Sequence, residues 1–149
     1  MKPAALVLTD YLPYRLTIVA EAVSREVSSV YREQYKLTRD EWRILAAIGE
    51  IKVIKTRDVR RYTTLDKVQA SRAIGRLEKS DLLSREEDPA DRRNHLLKLT
   101  TAGKATYRAL VPEVKAVEQS MLASFSKTEL ESFNTMLNRL LKATGQHNA

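Results

Sequence analysis

The chain has no cysteine, and its 149 residues include only four glycines, four prolines and two histidines. Without cysteine there is no disulfide, no thiolate nucleophile, no Cys-type zinc site and no thiol redox switch. Two scattered histidines, His95 and His147, are too few for a histidine-built metal centre. Neither a phosphate loop nor a Ser-His-Asp-like set is present, so an enzyme is disfavoured and no cofactor is expected. No apolar run reaches the roughly 18 residues of a spanning helix. The apolar patch near the N-terminus is too short for a secretory signal, and Asp10 closes it. These absences point to a cytoplasmic protein of one compact domain, or of two small lobes on a shared core. Scarce glycine and proline favour long helices.

What the chain does have is positive charge, in one place. The net charge is +7. Residues 1–55 hold 9 basic and 7 acidic side chains, residues 56–108 hold 13 and 8, and residues 109–149 hold 4 of each. The excess therefore sits in the middle third, as the electrostatic footprint of a nucleic-acid-binding lobe would. A solvated face is the plainer explanation for so modest an excess.

The elements follow from local signals. Leu12, Leu16, Val19, Val23, Val27 and Val30 recur at helical spacing, predicting a helix from about Asp10 to Tyr35, with Pro13 in its first turn. Thr38-Arg39-Asp40-Glu41 fits a capping box, with Leu37 and Trp42 as a hydrophobic staple. Asp66-Lys67-Val68-Gln69 and Ser126-Lys127-Thr128-Glu129 repeat that logic at two later helix starts. A short helix over Arg57–Tyr62 and a Thr63-Thr64-Leu65 turn precede the helix that runs from Asp66 to about Ser80. The period then changes. Leu82–Glu86 and His95–Leu99 read as strands around a charged turn, Glu87–Asn94. Thr100 caps a further long helix in which Pro112 predicts a kink or a break, and the last helix stops near Gly145.

Short helix, tight turn, second helix and charged hairpin form a winged helix–turn–helix layout. The predicted fold is mainly α with a small β-hairpin wing. At about 100° per residue from Gln69, the residues Ala73, Leu77, Ala70 and Ile74 fall between about 40° and 140°, a narrow core stripe. Gln69, Arg76, Arg72 and Lys79 form a separate polar arc that Val68 joins. Arg can pair bidentately with guanine and Gln with adenine, so this arc suits a major groove. Lys67, Val68, Gln69, Ser71, Arg72 and Arg76 are the candidate DNA contacts on it. The hydroxyls of Ser71 and Thr56, and the side chains of Arg57, Arg60 and Arg61, are candidate phosphate contacts.

These residues also carry a resemblance. The run Leu65-Asp66-Lys67-Val68-Gln69-Ala70-Ser71-Arg72-Ala73-Ile74-Gly75-Arg76-Leu77-Glu78-Lys79 resembles the recognition helix of the MarR family of bacterial transcriptional regulators. Leu82–Arg85, Asp88–Arg93 and Leu99–Gly103 resemble that family's strand, wing and helix-entry signatures in the same order. Similarity is strongest over residues 37–105. The departure is Ser80-Asp81, where the family usually ends the helix with a glycine. The resemblance implies that Arg93 enters the minor groove, that Asp91 orients it and that Arg92 adds a second charge. A narrow groove deepens the negative potential that such a guanidinium meets.

Residues 37–105 are therefore expected to form the DNA-binding lobe. Residues 1–36 and 106–149 are expected to form helical dimerisation arms, intertwined as one domain. A two-fold dimer would place two recognition helices roughly 34–36 Å apart on a pseudo-palindromic duplex operator. The resemblance implies the same dimer; a monomeric bundle of self-packed arms competes with it. It also implies a small effector, often an aromatic acid, bound between arms and lobe. Tyr11, Tyr14, Arg15 and Ile18 on the first helix, with Trp42 and Arg43 on the second, are the candidate effector residues. An effector preferring the DNA-incompetent shape by about a hundredfold would supply about 2.7 kcal/mol, enough to release an operator. The alternatives are a winged-helix protein-interaction module and a ligand-independent DNA-binding protein. RNA binding is disfavoured because no aromatic residues interleave the basic region.

Overall fold

The structure is a computed structural model that describes residues 5–145; His147 and the ends of the two expected arms lie outside them. A 3₁₀ turn at Leu8–Asp10 leads into α1, Leu12–Ser29, which continues as a π-helical stretch at Val30–Gln34. There follow α2 (Arg39–Ile51), β1 (Ile54–Lys55), a 3₁₀ turn at Thr56–Asp58, α3 (Val59–Thr63) and α4 (Lys67–Lys79). The hairpin strands are β2 (Leu83–Glu87) and β3 (His95–Leu99), and the chain closes with α5 (Thr101–Leu122) and α6 (Lys127–Ala143). No helix of the described residues is long and apolar enough to cross a membrane.

All three anticipated capping boxes form, each with reciprocal bonds between the cap side chain and the third helical residue. Of the two expected staple residues, Leu37 is buried, and half-buried Trp42 stacks on Tyr31 with ring centroids 6.1 Å apart. At the end of α4, Asp81 takes the left-handed backbone that the missing glycine would have supplied, at φ 56. The Leu82 N–H then reaches the Leu77 carbonyl at 2.9 Å and the Asp81 N–H reaches the Glu78 carbonyl at 3.0 Å. This is a Schellman closure built on aspartate, one of the few non-glycine residues that tolerate that conformation.

Two expectations change. The sheet has three strands in the order β1-β3-β2, all antiparallel, so the hairpin gains an edge strand not anticipated from the sequence. Ile54 pairs with Leu97 on one side of β3, and Arg85 pairs with Leu97 on the other. A two-residue strand is too short to show a period. Pro112 does not break α5, which runs unbroken from Thr101 to Leu122. The carbonyl that loses its partner belongs to Arg108, four residues back and exposed, where water can satisfy it.

The core lies inside the lobe. Ile44, Leu45, Ile48, Val59, Ile74, Leu77 and Leu97 are all at most 1% exposed, and Leu110 of α5 closes the cluster from below. The arms join it through Val27, Val30, Tyr31 and Tyr35 at the end of the first and through Tyr107, Leu110, Val114 and Val117 of α5 in the second. Val30 and Tyr31 are buried, and the Tyr35 hydroxyl donates to Glu113 Oε1 at 2.6 Å, tying the π-helical stretch to α5. That bond raises the Tyr35 pKa, with lesser help from desolvation. Neither α1 nor α6 contains a buried residue.

Candidate nucleic-acid interface

The turn before α4 is set by two threonines. Thr64 adopts left-handed backbone at φ 58, while the Thr63 hydroxyl donates to the Val59 carbonyl at 2.7 Å and accepts the Leu65 N–H at 3.4 Å. Buried Leu65 then pins the entry to α4. The two faces of α4 separate as the periodicity predicts. Ala70, Ala73, Ile74 and Leu77 are buried, and Lys67, Val68, Ser71, Arg72 and Arg76 are exposed.

Two members of the polar arc have work inside the protein. Gln69 Oε1 accepts the Asp66 N–H at 3.0 Å and its own N–H meets Asp66 Oδ1 at 2.8 Å. The carboxamide oxygen is thus engaged at the helix start, which leaves chiefly its N–H donors for a base edge. Arg76 lies 3.7 Å from Glu41 Oε1. The other oxygen of Glu41 caps α2 through the Thr38 N–H at 2.8 Å, so one buried carboxylate links the first turn of α2 to the last turns of α4. Ser71, Arg72, Lys67 and Val68 stand outward without such ties.

The wing is built around two aspartates. Buried Asp88 places Oδ2 2.8 Å from Lys55 Nζ, and its Oδ1 accepts the Ala90 N–H at 3.0 Å. Lys55 above all, then the Ala90 N–H, holds its carboxyl below the ordinary range. The loop closes on itself through the Asp88 N–H to the Asn94 carbonyl at 3.0 Å. Asp91 accepts both the backbone N–H and the Nε–H of Arg93 on Oδ1 at 3.1 Å, and the Asn94 Nδ2–H on Oδ2 at 2.8 Å. The Arg93 backbone N–H is the largest cause of the lowered Asp91 pKa, and the guanidinium is next. The Arg93 side chain is nonetheless 92% exposed, so a fixed cation stands almost wholly in solvent. Arg92 is exposed beside it. Asp91 and Arg93 are thus brought together in the geometry expected of them.

Lys55 was not among the sequence candidates. Its value lies in contact with a residue 33 positions on, and nothing local marks it. Thr56 differs from its expected role, because its hydroxyl proton goes to the His95 carbonyl at 3.2 Å, where it anchors the start of β3. Arg57 pairs with Asp58 at 3.6 Å, and Arg61 lies over the Tyr62 ring at 5.8 Å.

The candidate effector residues do not form one site within a protomer. Tyr11, Tyr14 and Ile18 are exposed on the early part of α1, as is Arg15. Trp42 is engaged with Tyr31, and Arg43 donates to the Thr64 hydroxyl at 3.3 Å. The shallow groove that Trp42 and Arg43 line continues to Tyr62 and takes in no α1 residue. The reason is that α1 departs from the lobe before its tyrosines are reached. A larger cavity, about 660 Å³, opens instead between the end of α2, the hairpin and the start of α5. Lys52, Lys98, Lys104 and Arg108 line it around Tyr107, with Glu86 as the one acidic residue. Glu86 pairs with Lys98 at 2.6 Å.

Comparison with known proteins places this lobe. The family model described as MarR family matches residues 35–94. The transcriptional regulator HosA of Escherichia coli O111:H- is 26% identical over 107 residues, which span 72% of this chain and 79% of that protein. A structure of BpsR from Bordetella bronchiseptica, described with regulation of its DNA binding by 6-hydroxynicotinic acid, superposes with a TM-score of 0.82. It is 23% identical and covers 92% of this chain and 97% of its own. A mutant MarR from Escherichia coli complexed with operator DNA superposes with a TM-score of 0.81 at 20% identity, covering 92% of this chain and 99% of its own. At that identity the two structures establish the shared fold.

Proposed function

We propose that this chain, whose residues 35–94 match the MarR family model, is a regulator of that family and a dimeric, ligand-responsive repressor of a pseudo-palindromic operator. In this reading it is a DNA-binding transcriptional regulator and not an enzyme, which the match to HosA, named a transcriptional regulator, supports. In this reading α4 enters the major groove. Arg72 and the neighbouring Lys67, Val68, Ser71 and Arg76 face bases and phosphates. Arg93, backed by Arg92 and aimed by Asp91, enters the minor groove. Gln69 and Thr56 contribute chiefly by fixing the ends of elements.

The observation that carries the reading is Arg93. A guanidinium held through its Nε–H by Asp91, which also fixes the Arg93 backbone N–H, yet 92% exposed is preorganised toward something outside the protein. Preorganisation lowers the ordering cost that an exposed arginine ordinarily meets on binding. Little within the chain itself accounts for holding it there.

The effector reading follows the cavity. Its volume lies in the range of small-molecule sites, and the surplus of cations around Tyr107 suits a carboxylate on an aromatic ring. The α1 tyrosines and Arg15, exposed on the arm, remain candidates to reach an effector from a second copy.

Selection of bound duplexes from a random pool, repeated in the presence of aromatic acids, tests the proposal. An enriched site made of inverted half-sites supports it, and an acid that abolishes enrichment identifies the effector. A pool that shows no enrichment with the unliganded protein refutes it.

A further inference from the structure

Three of the four glycines have a reason internal to the protein. A Cβ on Gly49 would lie 2.5 Å from the Tyr107 ring, and one on Gly103 would lie 1.9 Å from the Leu82 carbonyl oxygen. Gly145 turns the chain at φ +76 just beyond α6. Gly75 has none of these. It sits in ordinary helical backbone in the body of α4, and a Cβ there would meet nothing within 4 Å. Glycine inside a helix is less favourable than alanine because it loses more backbone freedom on folding. At this position the protein accepts that loss with no packing in return.

The position of Gly75 on the helix shows where the return lies. At about 100° per residue it falls about 20° from Val68, about 60° from Arg72, and about 160° from Ala73 and Leu77. It therefore lies on the outermost line of α4, opposite the core, among its cations. Val68, at the head of the same line, is 57% exposed. Gly75 is about 12 Å along the axis from Lys67, a distance comparable with the width of the major groove, about 12 Å. When the first turn of a recognition helix meets base edges, a residue two turns on approaches the strand that bounds the groove.

We infer that Gly75 is a clearance position, at which the DNA sugar–phosphate backbone occupies the space a side chain would take. Arg72 and Lys79, one turn to either side, draw that backbone toward the gap. The inference rests on the assignment of α4 to the major groove made above.

Gly75→Ala separates the two consequences. Without DNA its thermal unfolding midpoint rises by a few degrees, because alanine is the better helix former. Its affinity for the selected operator falls by roughly tenfold or more, the size of one lost interface contact. The dependence of that affinity on salt stays parallel to the parent's, because no charge is removed. Arg72→Ala, by contrast, flattens that dependence. A Gly75→Ala protein that binds the operator as tightly as the parent overturns the inference, as does one that melts below the parent. If the parent itself binds no duplex, the groove assignment falls, and this inference falls with it.

Discussion

The winged-helix lobe and the helical arms meet water in opposite ways. Residues 37–99 of the lobe supply most of the core, with Leu45 and Leu97 fully buried. On the arms, Leu12, Leu16, Val19 and Val23 of α1 and Phe133, Met136 and Leu141 of α6 are 39–58% exposed. Single exposed apolar residues are normal, but stripes at helical spacing on two helices mark a surface that something covers. The charges divide the same way, with the excess on the lobe and none on residues 109–149. The lobe thus carries most of the core and most of the charge excess, whereas the arms leave apolar stripes exposed. In the proposed dimer a second copy of the chain supplies that surface by two-fold symmetry.

The largest effect follows from charging the arms. Leu16→Asp with Val19→Asp should reduce the mass in sedimentation from twice 17.0 kDa to 17.0 kDa. Operator affinity should drop by about a hundredfold or more, because the second half-site is no longer tethered. If mass and affinity both hold, the arms do not join two lobes. Next comes the lobe's own core. Leu77→Ala should cost about 2–5 kcal/mol in denaturant unfolding. Retained secondary structure at the parent's midpoint would show that the lobe does not carry its own stability.

A smaller and more selective effect is expected at the wing. Arg93→Ala should weaken operator binding by about 1–3 kcal/mol while the unfolding midpoint stays at the parent value. A shift in the midpoint instead would make Arg93 a structural residue. The smallest effect is a pH dependence. Lys55 depresses the Asp88 carboxyl below its usual 3.8, so their pairing adds stability above that value. That contribution is lost as pH falls below 3.8 through the depressed value. Asp88→Asn should therefore lower stability at neutral pH and shrink the difference from the parent below about pH 4. A difference that stays constant across that range would exclude the pairing as its source.

Much of this was legible in the sequence because the signals were local. Capping boxes lie within four residues, and the buried stripe of α4 repeats within one helix. Asp91 and Arg93 are two residues apart, and their geometry follows from a tight turn. The unread features depend on distant contact. The Lys55–Asp88 pair joins an edge strand to a wing, and the cavity around Tyr107 is bounded by three elements. Trp42 and the α1 tyrosines are expected to share an effector site, but the groove that Trp42 lines takes in no α1 residue. Pro112 misled for a related reason, since whether a proline breaks a helix depends on what its exposed flank meets.

The spacing between half-sites tests the link between arms and lobes most directly. On the selected operator, insertion of about five base pairs turns one half-site to the opposite face of the duplex, half a helical turn away. The account predicts that this insertion reduces affinity to that of a single half-site, while the parent spacing binds two chains together. Unchanged affinity after the insertion would mean that the lobes bind independently, and the arms would then need another explanation.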